Sequence, residues 1–162
     1  MENQKPKQLL QTAITSLLVL LWSYTALSKW AEPTEFTQSL ASQPLPGKLA
    51  DLLFWMIPAS ELLAAALLLF PAARRYGMLL SVAMLAAFSG YVALALSGTF
   101  GQLPCSCGGA LEGMGWKTHL LFNLFFLSAA LIGYQITPIN KKKGTKGYSS
   151  RQVPVDAHQN GI

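Results

Sequence analysis

Leu49–Phe70 reads LADLLFWMIPASELLAAALLLF, an apolar run of the length that crosses a bilayer, whose hydrocarbon core takes about 20 helical residues. Lipid offers no partner for exposed backbone N–H and C=O groups, so such a run must be a helix. Working outward, the same reading applies to Leu9–Leu27, Tyr76–Leu96 and Thr118–Ile136. Pro71-Ala-Ala-Arg-Arg75 makes a tight hairpin between the second and third spans, and longer polar segments, 28–48 and 98–117, join the first pair and the last pair. The sequence predicts an all-α integral membrane four-helix bundle over residues 1–140, followed by a basic, disordered tail over 141–162.

Composition agrees. Of 162 residues, 52% are hydrophobic and 12% charged, about half the charge of a soluble domain. The formal charge of +5 does not point to nucleic acid, because the bases flank apolar spans and crowd the tail, where they fix topology and meet anionic lipid. Lys5, Lys7, Arg74, Arg75, Lys141, Lys142, Lys143, Lys146 and Arg151 fall on one side; Lys29, Lys48 and Lys117 fall on the other. The positive-inside bias then puts both termini in the cytoplasm and both long connections outside. Lys5, Lys7, the first apolar run and Ala26-Leu27-Ser28 also imitate a cleavable secretory signal. The length of the run favours a retained span, as do Trp22 and Tyr24 placed as interfacial anchors.

Chemistry concentrates in Pro104-Cys-Ser-Cys-Gly-Gly109, which holds the chain's two cysteines, Cys105 and Cys107. A loop this short removes little entropy from the unfolded chain, so the pair is a poor structural staple. Closing so small a ring strains the disulfide, and strained, exposed disulfides are the labile, catalytic ones. Outside the cytoplasm such a bond can persist. Lys117 and His119 follow, and their positive charge near the sulfurs would favour the thiolate, the attacking species. Two thiolates also suit Cu(I), with Met114 and His119 the nearest further ligands; the sequence is read as carrying no resident metal. A plainer reading leaves two free thiols in a loop.

Trp116, His119 and Asn123 share one face of the fourth span and can point together into the bundle; the plainer reading has Trp116 and Lys117 anchoring the helix at the interface and His119 in water. Glu61 is an intramembrane carboxyl, a functional-site hypothesis by default. Pro58, three positions earlier, cannot donate to the Phe54 carbonyl, so a free acceptor and a bend are expected there. Lys29 is the charged partner expected for Glu61, with His119 the alternative. A purely structural role for Glu61, tying helices by hydrogen bonds, accounts for the same residues. Phe122, Phe125 and Phe126 read as packing.

Taken together, Ser28-Lys29-Trp30 with Pro33 and Phe36, Ile57-Pro-Ala-Ser-Glu-Leu62, and Arg75 with Gly77 resemble the DoxX-type four-helix membrane proteins. The Cys105-to-Gly109 loop, then Trp116-Lys117-x-His119 and Asn123, resembles the MauE branch of that group. The likeness covers residues 8–137 and leaves out the tail. It implies a multi-pass protein of the bacterial cytoplasmic membrane, tied to methylamine utilisation through disulfide formation or maturation of a periplasmic dehydrogenase subunit.

The leading functional expectation is a membrane thiol–disulfide redox protein. Cys105 and Cys107 exchange with an extracytoplasmic thiol protein, Lys117 and His119 tune them, and Glu61 and Lys29 organise the bundle or handle protons. By analogy with four-helix disulfide oxidases, a bilayer quinone is the natural electron acceptor. Such oxidases carry a second cysteine pair, and this chain has one. Two other classes stay open: a non-enzymatic accessory that assembles a periplasmic partner, and Cu(I) or small-molecule binding and transport.

Overall fold

Prolines punctuate five helices in the computed structural model, whose described residues are 5–41, 43, 46–97 and 115–138. α1 (Lys5–Ala31) stops just ahead of α2 (Pro33–Ala41), where proline takes a first-turn position whose N–H would be unpaired anyway. α3 (Gly47–Leu69) follows Pro46. Pro71 forces the residue before it out of the helix, and Phe70 accordingly sits at φ −86°, ψ 116°. The same device ends α5 (Trp116–Ile136): Thr137, ahead of Pro138, sits at φ −73°, ψ 119°. α4 (Arg74–Leu96) lies between them. α3 runs through Pro58 unbroken.

α1, α3, α4 and α5 are each long and apolar enough to cross a membrane, and no strand occurs among the described residues. The expected all-helical architecture with four spans is what the chain forms. Two boundaries differ from the sequence reading. α1 has 27 residues, about 40 Å at 1.5 Å per residue, so it extends past both ends of Leu9–Leu27. The segment 28–48 is also not a plain connection, because α2 lies within it with Phe36, Ser39 and Leu40 buried at amphipathic spacing. The 141–162 tail lies outside the described residues.

The spans form a ring in the order α1, α3, α4, α5, with α5 returning to α1. Each buries one stripe at helical spacing: Leu18, Trp22, Ala26 and Lys29 on α1; Pro58, Glu61, Ala65 and Leu68 on α3. Outward faces are apolar as well, with Leu20 68%, Leu63 53% and Leu121 70% exposed. A water-soluble protein does not display apolar surface on that scale. The bundle is built for lipid.

Lipid tails are as apolar as leucine, so close packing and buried hydrogen bonds hold such helices together. At Gly77 a Cβ would meet the backbone nitrogen of Leu68 at 2.8 Å, so only glycine lets α3 and α4 approach this closely. A Cβ at Gly133 would meet Ile14 and Met78 side-chain atoms, both at 2.9 Å. Trp22, expected at the interface, is instead a core residue, 6% exposed, whose Nε1 donates to Ser81 Oγ at 2.9 Å. Its place on the Leu18–Ala26 stripe turns it inward, and Ser81 satisfies its N–H.

The bundle end formed by the start of α4 and the end of α5 is clamped by Arg75. Its Nη1 donates to Thr137 O at 3.1 Å, its Nη2 donates to Tyr134 OH at 3.2 Å, and its guanidinium lies 4.4 Å from the Tyr134 ring centre. Gln11 adds α1 by donating to Thr137 Oγ1 at 3.3 Å.

Candidate functional site: a buried ion pair between α1 and α3

At the opposite end, the last turns of α1 meet the middle of α3. Lys29 Nζ donates to Glu61 Oε1 at 2.8 Å and to Thr25 O at 3.1 Å. Lys29 and Glu61 are 6% and 5% exposed, so both charges lie inside the bundle. Desolvating two charges costs several kcal/mol each, and a pair recovers that only with close geometry and further hydrogen bonds. Here the ammonium has its carboxylate and a carbonyl, while the Phe36 ring of α2 lies 5.8 Å from Nζ. Phe36 in turn packs against Phe54, ring centres 5.5 Å apart. α2 thus covers the pair. Beyond it, the Tyr91 hydroxyl donates to Gln43 Oε1 and ties the chain after α2 to α4.

α5 supplies the facing wall. His119 and Asn123 are 3% and 4% exposed, one turn apart on the inward stripe. His119 packs 5.7 Å from the Phe88 ring. Between the four spans lies a cavity of about 310 Å³, reached by Trp22, Lys29, Glu61, Phe88, His119 and Asn123. Among the described residues, Glu61 Oε2 and Asn123 Nδ2 are buried without a hydrogen-bond partner. The Thr25 hydroxyl lies beside the Glu61 carboxyl but donates to Trp22 O at 3.2 Å. Leaving such an atom unsatisfied costs roughly 1–3 kcal/mol. Ser89 Oγ, also buried, is in the same condition.

The model of the family described as methylamine utilisation protein MauE matches residues 7–135. The chain belongs to the MauE family. No curated protein and no solved structure matches it. The MauE match spans all four membrane helices and the connection carrying Cys105 and Cys107.

Within this MauE region the structure brings together four of the residues singled out by sequence: Lys29, Glu61, His119 and Asn123 all line the cavity. The charge partner of Glu61 is Lys29. Pro58 is buried one turn from Glu61 on the same face of α3. Lys117 is exposed at the start of α5. Trp116 opens α5, and its side chain lies outside the described residues, as do Cys105, Cys107 and Met114. Phe122 lines the cavity, Phe126 is core, and Phe125 points outward, 59% exposed. Sequence reasoning missed Thr25, Ser60, Phe88 and Tyr91, all of which line the cavity. Tyr91 in an otherwise apolar span was the available signal, since a buried hydroxyl needs a partner.

Proposed function

We propose that this membrane protein carries out thiol–disulfide exchange in methylamine utilisation, with Cys105 and Cys107 as the redox pair and an extracytoplasmic thiol protein as partner. Support for this reading comes from where the helices flanking the Cys-Ser-Cys segment end. The chain leaves α4 at Leu96 and re-enters at Trp116, at the same end of the bundle as the buried Lys29–Glu61 pair and the cavity. Membership of the methylamine utilisation protein MauE family supplies the pathway.

The orientation rests on charge. Lys29 is spent inside the protein on Glu61, so only Lys48 and Lys117 remain to mark that side, against nine bases on the other. By the positive-inside bias the cysteine connection faces away from the cytoplasm of a bacterial inner membrane, where disulfides persist.

In the exchange, a thiolate of one protein attacks a disulfide sulfur of the other. A mixed disulfide forms and one thiolate departs; the second cysteine of the attacking pair then resolves it, leaving one dithiol and one disulfide. Lys117, at the start of α5, contributes positive charge that favours the thiolate. A Cys105→Ser or Cys107→Ser variant lacks the resolving thiol. The expected result is a reducible, partner-containing adduct on non-reducing gels with at least one of the two variants; adducts with neither would remove the exchange role. The accessory reading, in which the dithiol does no chemistry, predicts that neither variant accumulates an adduct and that pathway function survives.

A further inference from the structure

We infer that the cavity between the four spans is a binding site for the head group of a membrane quinone, with Asn123 and Glu61 as the partners of its ring oxygens. At about 310 Å³ it matches the smaller ligand pockets, which begin near 300 Å³. Its walls are apolar and partly aromatic, with Leu21, Ile57, Met84, Phe88 and Phe122 among them. Against those walls stand two polar atoms with opposite requirements. Asn123 Nδ2 is a donor and Glu61 Oε2 an acceptor, and neither has a partner among the described residues. An apolar ring that accepts through one oxygen and donates through another satisfies both. The quinol satisfies both at once, one hydroxyl oxygen accepting the Asn123 N–H while the other hydroxyl donates to Glu61; in the oxidised ring a carbonyl takes the Asn123 N–H alone.

Access fits a ligand held in lipid. Ala87 and Phe88 line the cavity and are themselves exposed on α4, inside a membrane-spanning segment. The pocket therefore reaches the bundle exterior at the depth where quinones reside. Lys29, locked to Glu61 Oε1 at 2.8 Å, holds the carboxylate so that its second oxygen is presented to the cavity.

What the quinone would oxidise rests on the exchange role proposed above; occupancy of the pocket does not. In that role a dithiol loses two electrons and two protons to become a disulfide, and the quinone gains them to become the quinol.

The full-length protein in lipid nanodiscs is labelled with a photoreactive azidoquinone and competed with decylubiquinone, and the adducts are mapped by mass spectrometry. Adducts on cavity-lining residues that decylubiquinone removes are expected. Asn123→Leu is expected to weaken that competition about tenfold, as loss of one buried hydrogen bond does. Ala87→Trp, which fills the mouth from an exposed position, is expected to weaken it as well without disturbing the fold. The Cys105→Ser/Cys107→Ser double variant is expected to label like the wild type. Labelling that competitor does not displace, or adducts confined to outward residues such as Leu121 and Phe125, overturns the site; the orphaned atoms are then bridged by water. Trapped mixed disulfides alongside failed quinone labelling would sink this inference and leave the exchange role standing. Quinone labelling without trapped adducts would do the reverse.

Discussion

Lys29→Ala is expected to destabilise the bundle by about 3–5 kcal/mol, because it strands the Glu61 carboxylate inside the protein without its counter-charge. The structure gives Glu61 one charged partner, at 2.8 Å, and its other oxygen has no hydrogen bond among the described residues. Water reaches neither group readily, at 6% and 5% exposure. The control is Lys29→Met with Glu61→Leu. Removing both charges takes away the desolvation cost together with the attraction, so the double variant is expected to be as stable as the wild type or more so. Reversible unfolding in mixed micelles measures both, and the two single changes should be strongly non-additive. A Lys29→Ala variant within about 0.5 kcal/mol of wild type, the range of ordinary surface changes, would mean that the pair is solvated.

The second large effect is chemical. Replacing Cys105 and Cys107 together by serine is expected to abolish thiol exchange while expression and membrane insertion stay at wild-type levels. A hydroxyl cannot attack a disulfide at neutral pH or form one, so no residual pathway through these positions exists. The fold should not notice, because the stripes that close the bundle lie in the helices and a Cys-x-Cys loop enclosing a single residue contributes little entropy. The readout is the redox state of the partner's cysteines, followed by gel shift after alkylation. A partner oxidised or reduced at the wild-type rate in the double variant would refute the exchange role and favour an accessory that clasps its partner by contact alone.

Much of this was legible in the sequence because a membrane simplifies the reading. Apolar runs of spanning length must be helices, and Pro71 marks the turn between the second and third of them. Glu61 stood out because a charge inside a span is costly unless paired, and Lys29, just past the end of the first span, was the partner it called for. What did not read through were the elements whose two candidate environments are equally apolar. Trp22 has the same preference for lipid interface as for a core with a hydroxyl in reach, and only the position of Ser81 on α4 decides between them. α2 escaped notice because nine residues carry too few turns for a clear period, and Phe36 and Leu40 reveal their purpose only against Phe54 and Lys29. The cavity was invisible for another reason: it is a gap between helices, set by which stripes fail to meet. The wider DoxX-type likeness rests on its motifs alone, and the orientation proposed for the cysteine connection rests on the charge pattern.

That orientation is open to direct measurement. Intact cells are treated with a membrane-impermeant reductant and then with an impermeant maleimide, and the mass of the isolated protein is recorded. Both sulfurs are expected to carry the label before any permeabilisation; modification that appears only once the membrane has been opened would place them on the cytoplasmic side and contradict the account.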